Sequence, residues 1–218
     1  MLHNIQRADI WYFDTKKDFR LKLHPQEIKK GLSFYAPKHQ HRYLTTRSII
    51  KDILLQYLSL KPSHTWVFSE NEYGKPFLAE HPNVHFNWSH SGDDGLFMIS
   101  WDNPVGIDIE HQRKVEYLAI AKILYSKEEQ AFLANLSPDV LPYYFFHIWS
   151  QKEAFIKAIG MGLSFPTKEF TTILNQEQGH IKVWHQDWQL THFMIKENCH
   201  GAYCHKPGMY NIQWLYHL

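Results

Sequence analysis

"VGIDIE", residues 105–110, is the stretch on which the reading of this chain turns. Val105, Ile107 and Ile109 alternate as the apolar face of a strand, and Asp108 and Glu110 fall on the other face. At about 3.3 Å rise per residue, two such acids stand roughly 6–7 Å apart at the backbone and point the same way. Carboxylates presented together suit a hard cation such as magnesium, which takes one or two of them and completes its shell with water and substrate phosphates. A strand with one solvated face is the competing explanation of the same pair.

Upstream, "VHFNWS" (84–89) and "LFMISW" (96–101) read as strands joined by a "GDDG" turn (92–95), and "DNP" (102–104) turns the chain into residue 105. "ADIWYF" (8–13) and "TWVFSE" (65–70) also read as strands, and "NEYGKP" (71–76) as a loop. Residues 38–58 carry a helical period, with Tyr43, Ile50, Leu54 and Leu58 on one face. Downstream, 117–160 reads as mainly helical, broken near "NLSPDVLP" (135–142) and stopped at "GMG" (160–162). From Phe170 the runs "FTTIL", "IKVWHQ", "LTHFMIK", "GAYCH" and "YNIQWLY" read as strands of one sheet. The order is strand, helix, strands, then strand, helices, strands. It predicts an α+β protein of two similar α/β lobes, residues 1–103 and 104–218, dividing at the 102–104 turn.

The chain has 218 residues, 44% of them hydrophobic and 16% aromatic, enough for a substantial core and too apolar for disorder. A formal net charge of +1 gives no global basic field, so nucleic acid is not an expected partner. "MLHNIQRADIWYF" lacks the basic and apolar regions of a signal peptide, and no stretch is apolar enough to span a bilayer. Two cysteines make no disulfide framework. A cytoplasmic enzyme or binding protein, without a membrane partner, is the expectation. "CHGAYCH" (199–205) offers four potential zinc ligands, but on one strand His200 and Cys204 face one way and Cys199 and His205 the other. One strand cannot gather all four around an ion.

Three further features carry possible chemistry. In "WSQKEAFIKAIGMGL" (149–163), Glu153 and Lys157 are helical neighbours at the edge of a wide apolar arc, either a surface ion pair or the rim of a cleft. Lys152 projects within that arc, so its charge must snorkel, pair or meet an anion. Arg47 lies on the apolar face of its helix with no acid nearby on that face, which calls for a distant carboxylate or a ligand phosphate. In "YGKP" (73–76) and "NWSHS" (87–91), Gly74 admits a ligand to the backbone, Lys75 supplies charge, and Ser89 and His90 can donate to phosphate oxygens. No Walker, dinucleotide or nucleophile-elbow motif is present.

"HRYLTTRSIIKDIL" (41–54), "NEYGKP", "FNWSHS" (86–91), "GIDIE" and "WSQKEAFIKAIGMGL" occur in the order found in the larger, two-lobed class of 4'-phosphopantetheinyl transferases, which the chain resembles over roughly residues 34–170. The resemblance implies a pseudo-dimer with coenzyme A in the cleft between lobes. It implies magnesium on Asp108, Glu110 and Glu153, and phosphate contacts from Lys75, Ser89, His90, Asp108 and Lys157. The backbone at Gly74–Pro76 would border the adenine, with Arg42 and Arg47 near the 3'-phosphate and Lys29 and Lys30 in the same vicinity. It further implies a monomer that modifies the serine of an apo acyl or peptidyl carrier protein, with Glu153 and Lys157 as catalytic groups. Residues 116–133 are the candidate carrier-docking segment. A metal-dependent phosphohydrolase and a non-catalytic coenzyme A-binding module are the alternatives that the residues alone leave open.

Overall fold

The structure is a computed structural model and describes residues 7–17, 23–61, 64, 66, 68–208 and 211–217. Ten strands and five α-helices are found among them. β1 is Arg7–Asp14, α1 Pro25–Leu32, α2 Pro37–Tyr57, β2 Phe68–Glu70, β3 Pro76–Leu78, β4 Val84–Ser91, β5 Asp94–Trp101 and β6 Val105–His111. α3 is Tyr117–Leu124, α4 Lys127–Ala134, α5 Leu141–Ile159, β7 Gln178–Val183, β8 Gln186–Lys196, β9 Cys199–His205 and β10 Asn211–Tyr216.

Local chemistry sets most of these boundaries. Pro25 and Pro37 stand in the first turn of α1 and α2, where a missing N–H costs nothing. His24 with Glu27, and Ser126 with Glu129, form capping boxes at α1 and α4. α5 ends at Gly160, whose φ of 76° is the left-handed conformation that closes a helix. The turn between β7 and β8 holds Trp184 and His185 at φ 49° and 62°, the double positive φ of a tight hairpin.

The strands form two four-stranded sheets, ordered β10-β1-β5-β4 and β6-β9-β8-β7, and a small β2-β3 pair. The period of two sorts their side chains. Trp11, Phe13, Phe97 and Ile99 pack toward Ile49, Ile50, Ile53 and Leu54 of α2. From the same strands, Ala8, Ile10, Leu96 and Met98 pack with Val105, Ile107 and Ile109 of β6. The other face of the second sheet meets Ala154, Phe155 and Ala158 of α5. α3 and α4 close over the first half of α5 through Tyr125, Leu133, Phe145 and Ile148.

β4 and β6 run side by side where the two sheets meet, and side chains of alternate β4 residues join them. Asn87 Oδ1 accepts from the Ile107 N–H at 3.0 Å, Ser89 Oγ donates to Asp108 Oδ1 at 2.7 Å, and Ser91 Oγ accepts from the His111 N–H at 3.0 Å.

Two expectations are corrected. Residues 170–174 are not a strand: Glu129 Oε1 accepts from the Thr172 N–H at 2.8 Å and Gln151 Oε1 from the Ile173 N–H at 3.1 Å. Side chains of α4 and α5 thus satisfy backbone groups that a sheet would otherwise pair. The C-terminal strands also do not share one sheet, because β10 pairs in parallel with β1, Arg7 opposite Asn211. Of the 65–70 strand only 68–70 is one; residues 65 and 67 lie outside the described residues.

Candidate active site

β6 and α5 present the predicted acids into one cavity, and a glycine lets the strand and the helix meet. A Cβ on Gly106 would lie 2.1 Å from the Ala154 carbonyl oxygen and 2.3 Å from the Ala158 nitrogen. The strand therefore packs against the helix backbone itself, one residue pair before Asp108. Asp108 is buried, Glu110 half-buried, and Glu153 projects from α5 into the same cavity.

Lys157 completes the group. Its ammonium donates to Asp108 Oδ1 at 2.6 Å and to Ser89 Oγ at 2.8 Å, rather than to its helical neighbour Glu153. Asp108 Oδ2 is buried with no hydrogen-bond partner. Burial, then the Asp108 charge, pushes the Glu153 carboxyl up to about 7, against the lowering influence of Lys157. Burial and Asp108 also raise Glu110, which Arg113 opposes with an ion pair of 2.7 Å. Three carboxyl groups, one orphaned buried oxygen and two carboxyls resisting ionisation form a donor set that fits a hard divalent cation. Among the described residues, the trio of ligand atoms lying within 4.8 Å of one another is a different one, Asp94, His111 and Cys199.

The acids line a cavity of about 590 Å³ with Tyr125, Trp149, Lys152 and Thr167. Ile156 and Lys157 also line a second cavity of about 240 Å³, beside Tyr73, Gly74, Lys75 and Gly160. Gly74, Pro76 and Trp88 carry that one into a third of about 550 Å³, which holds Lys30, His39, Arg42, Arg47 and His90. The three cavities share lining residues in series, with the acids in the first and Lys30, Arg42 and Arg47, beside Glu27 and Glu70, in the third. An added Cβ at Gly74 would meet nothing within 4 Å, so the backbone there is open to a ligand. Desolvation of the His90 ring by its surroundings, followed by the Arg42 and Lys157 charges, lowers its pKa.

Not every predicted cation is free for a ligand. Lys75 turns inward and donates to the carbonyls of Ala158 and Val105 at 2.9 and 3.3 Å; burial pulls its pKa down to about 8. Arg42 pairs with Asp93 at 2.9 Å. The inward-facing Arg47 meets Glu27 of α1 at 2.9 Å, with Lys51 on the same carboxylate and Phe68 stacked 4.6 Å from the guanidinium. Its partner is the distant acid. Lys29 does not line these cavities, whereas Lys30 does.

Sequence reasoning missed α1 and with it Glu27, although "HPQE" (24–27) carries the helix-start signal of Pro followed by Glu. It also left Lys152 open. That ammonium is buried, donates to the Thr167 and Phe170 carbonyls at 2.7 and 2.9 Å, and pairs with buried Glu129 at 2.9 Å. It holds the wall of the cavity at Thr167 in place.

The family model of the 4'-phosphopantetheinyl transferase superfamily matches residues 104–205, which contain all three acids and Lys157. The chain is 37% identical over 156 residues to the 4'-phosphopantetheinyl transferase Sfp of Bacillus subtilis (strain 168), covering 71% of this chain and 68% of that protein. It is 34% identical over 160 residues to the transferase psf-1 of Bacillus pumilus, covering 70% and 68%. It is 28% identical over 190 residues to the transferase HetI of Nostoc sp., covering 85% and 79%.

Proposed function

Because the chain belongs to the 4'-phosphopantetheinyl transferase superfamily, we propose that it moves the 4'-phosphopantetheine arm of coenzyme A onto a serine hydroxyl of an apo acyl or peptidyl carrier protein and releases 3',5'-ADP. The observation that carries this reading is the series of cavities, adjoining through shared lining residues, that takes in Arg42, Arg47 and Lys30 at one end and Asp108, Glu153 and Lys157 at the other. Its charge pattern matches a substrate with a phosphorylated nucleotide at one end and a pyrophosphate at the other.

In this reading the adenosine 3'-phosphate lies against Arg42, Arg47 and Lys30, and the adenine against Gly74–Pro76. Arg47 shares its charge between Glu27 and the phosphate, and Arg42 does so with Asp93. Ser89 and His90 donate to the pyrophosphate, and Lys157 turns toward it from Asp108. Asp108, Glu110 and Glu153 would hold magnesium, which when bound neutralises the pyrophosphate and so opens its phosphorus to a nucleophile.

Glu153 acts as the base. Its carboxyl lines the same cavity as Asp108 and Lys157, where it can take the hydroxyl proton directly or through a water. The serine oxygen of the carrier attacks the phosphorus that bears pantetheine, the bond to the bridging oxygen breaks, and 3',5'-ADP leaves with its charge stabilised by Lys157. Tyr125, Trp149 and Leu124 give the acid end an apolar rim that excludes water. The carrier approaches over residues 116–133, where Leu118 and Ile123 are exposed.

The same proposal includes two lobes, 1–103 and 104–218, a cytoplasmic location and a monomer, since the second lobe would supply what another subunit otherwise provides. No helix among the described residues is long and apolar enough to cross a membrane. The test is to incubate the protein with apo carrier proteins, coenzyme A and magnesium, and to weigh the carriers by mass spectrometry. A gain of one phosphopantetheine, dependent on the carrier serine, is expected. Release of 3',5'-ADP without any carrier gain would instead mark a hydrolase, and no gain across a carrier panel would end the proposal.

A further inference from the structure

β6 presents a second set of ligand-type side chains on its opposite face. Its period of two sends His111 away from Asp108 and Glu110, to the side of Ile107 and Ile109. There His111 stands directly opposite Cys199, the first residue of β9, in the β6–β9 ladder. Asp94, the first residue of β5 in the other sheet, comes up to both. One imidazole nitrogen, one sulfur and one carboxylate oxygen all lie within 4.8 Å of one another.

Asp94 and Cys199 are buried, while the His111 side chain is 34% exposed and gives access from solvent. The Asp94 carboxylate already gathers positive groups: His111 Nε2 at 2.6 Å and the Lys196 ammonium at 2.5 Å both meet Oδ2. Tyr12 donates its hydroxyl to Oδ1 and fixes the carboxylate, the outer support that metal-binding carboxylates commonly have. Lys196 is the competitor for this position. Its side chain is 52% exposed, so it can swing into water without leaving a buried charge behind.

We propose that Asp94, His111 and Cys199 form a zinc site, separate from the acid site and back to back with it across β6. Nitrogen, sulfur and oxygen donors from three protein side chains are what zinc takes, with a fourth position left open to water. Magnesium, which wants oxygen alone, does not suit this set. Binding breaks the Cys199 S–H bond, forms the metal–sulfur bond and releases the proton to solvent. Burial, then the Asp94 charge, holds that thiol up at about 12, so without an ion Cys199 is inert. The ion would tie β5 of one sheet to β6 and β9 of the other.

Cobalt(II), added to the metal-free full chain under reducing conditions, is the probe, because its thiolate charge-transfer absorption reports sulfur ligation. One equivalent is expected to produce that band in the wild type, and zinc to abolish it by displacement. The band should vanish in Cys199→Ser and His111→Ala, and persist in Cys204→Ser and in Asp108→Ala, which removes an acid of the other site. Lys196→Met keeps every ligand and removes the competitor, so zinc should bind it several-fold more tightly than the wild type. This variant keeps the test decisive if either ligand variant fails to fold. Absence of the band in both wild type and Lys196→Met, or its survival in Cys199→Ser, would overturn the proposal.

Discussion

Lys157 donates to Asp108 and Ser89 in this structure, and in the proposed reaction it turns from them to phosphate. Glu153 is left without a cation of its own, and burial with Asp108 nearby keeps its carboxyl near 7. Glu153→Gln should therefore slow transfer by roughly 10²–10⁴-fold. The carrier mass-gain assay would measure this, with coenzyme A binding retained as the control. Lys152 behaves differently because its ammonium is already taken up by Glu129 and two backbone carbonyls. Lys152→Met would strand Glu129, whose side chain is fully buried, and should cost about 3–5 kcal/mol. Urea unfolding would show a lower midpoint with an unchanged slope. Periodicity put Asp108 and Glu110 on one face of β6 and made Glu153 and Lys157 neighbours on α5, but only the family resemblance joined the two pairs into one site. Ion-pair partners were not legible. Lys157 to Asp108, Lys152 to Glu129 and Arg47 to Glu27 span 49, 23 and 20 residues, and a local period says nothing about what another element brings.

At the scale of elements, the contact of β6 with α5 controls the site. Gly106 permits it, and no side-chain motion could relieve a methyl group pressed on the backbone of Ala154 and Ala158. Gly106→Ala should destabilise the fold by about 3 kcal/mol, the upper end of ordinary overpacking, and lower the melting temperature. A variant that melts like the wild type would show that the helix can back away. The β4–β5 turn and the end of α5 were readable because Gly acts locally, whereas α1 with its capping box and the turn at Trp184 and His185 were not read. The 170–174 segment misled for the opposite reason. Its Phe-Thr-Thr-Ile-Leu composition suits a strand, but Glu129 and Gln151 had already claimed its backbone.

Across the whole molecule, the histidines set acid stability. His147, His192 and His200 are buried together, His192 Nε2 lying 3.0 Å from His200 Nδ1. Burial lowers all three, His192 to about 2 and His200 to about 4; neighbouring rings add to it at His192 and His200, whereas the Ile173 carbonyl and Glu177 oppose it at His147. Each folded value is below the unfolded one of about 6.5. Between the two, the unfolded chain binds more protons. Their stabilising contribution is thus complete above about pH 6.5 and drains away below it, by up to about 1.4 kcal/mol per pH unit for each group. Urea midpoints measured from pH 7 down to 5 should fall; a flat profile would sink this account. The two-sheet arrangement itself was half legible. The strand order announced two groups of strands, yet nothing in "YNIQWLY" said that β10 would leave its neighbours for β1.

That return of β10 has a consequence in time. β1 and its parallel partner β10 are separated by about two hundred residues, so their pairing closes a long loop and comes late in folding. Until then the β1 edge has no strand to cover it, and an uncovered edge invites other chains. The first sheet can close only when residues 211–216 join it, whereas β6 through β9 and α5 need nothing beyond residue 205. The sheet that bears Asp108 and Glu110 can therefore pair all its strands before β10 joins β1.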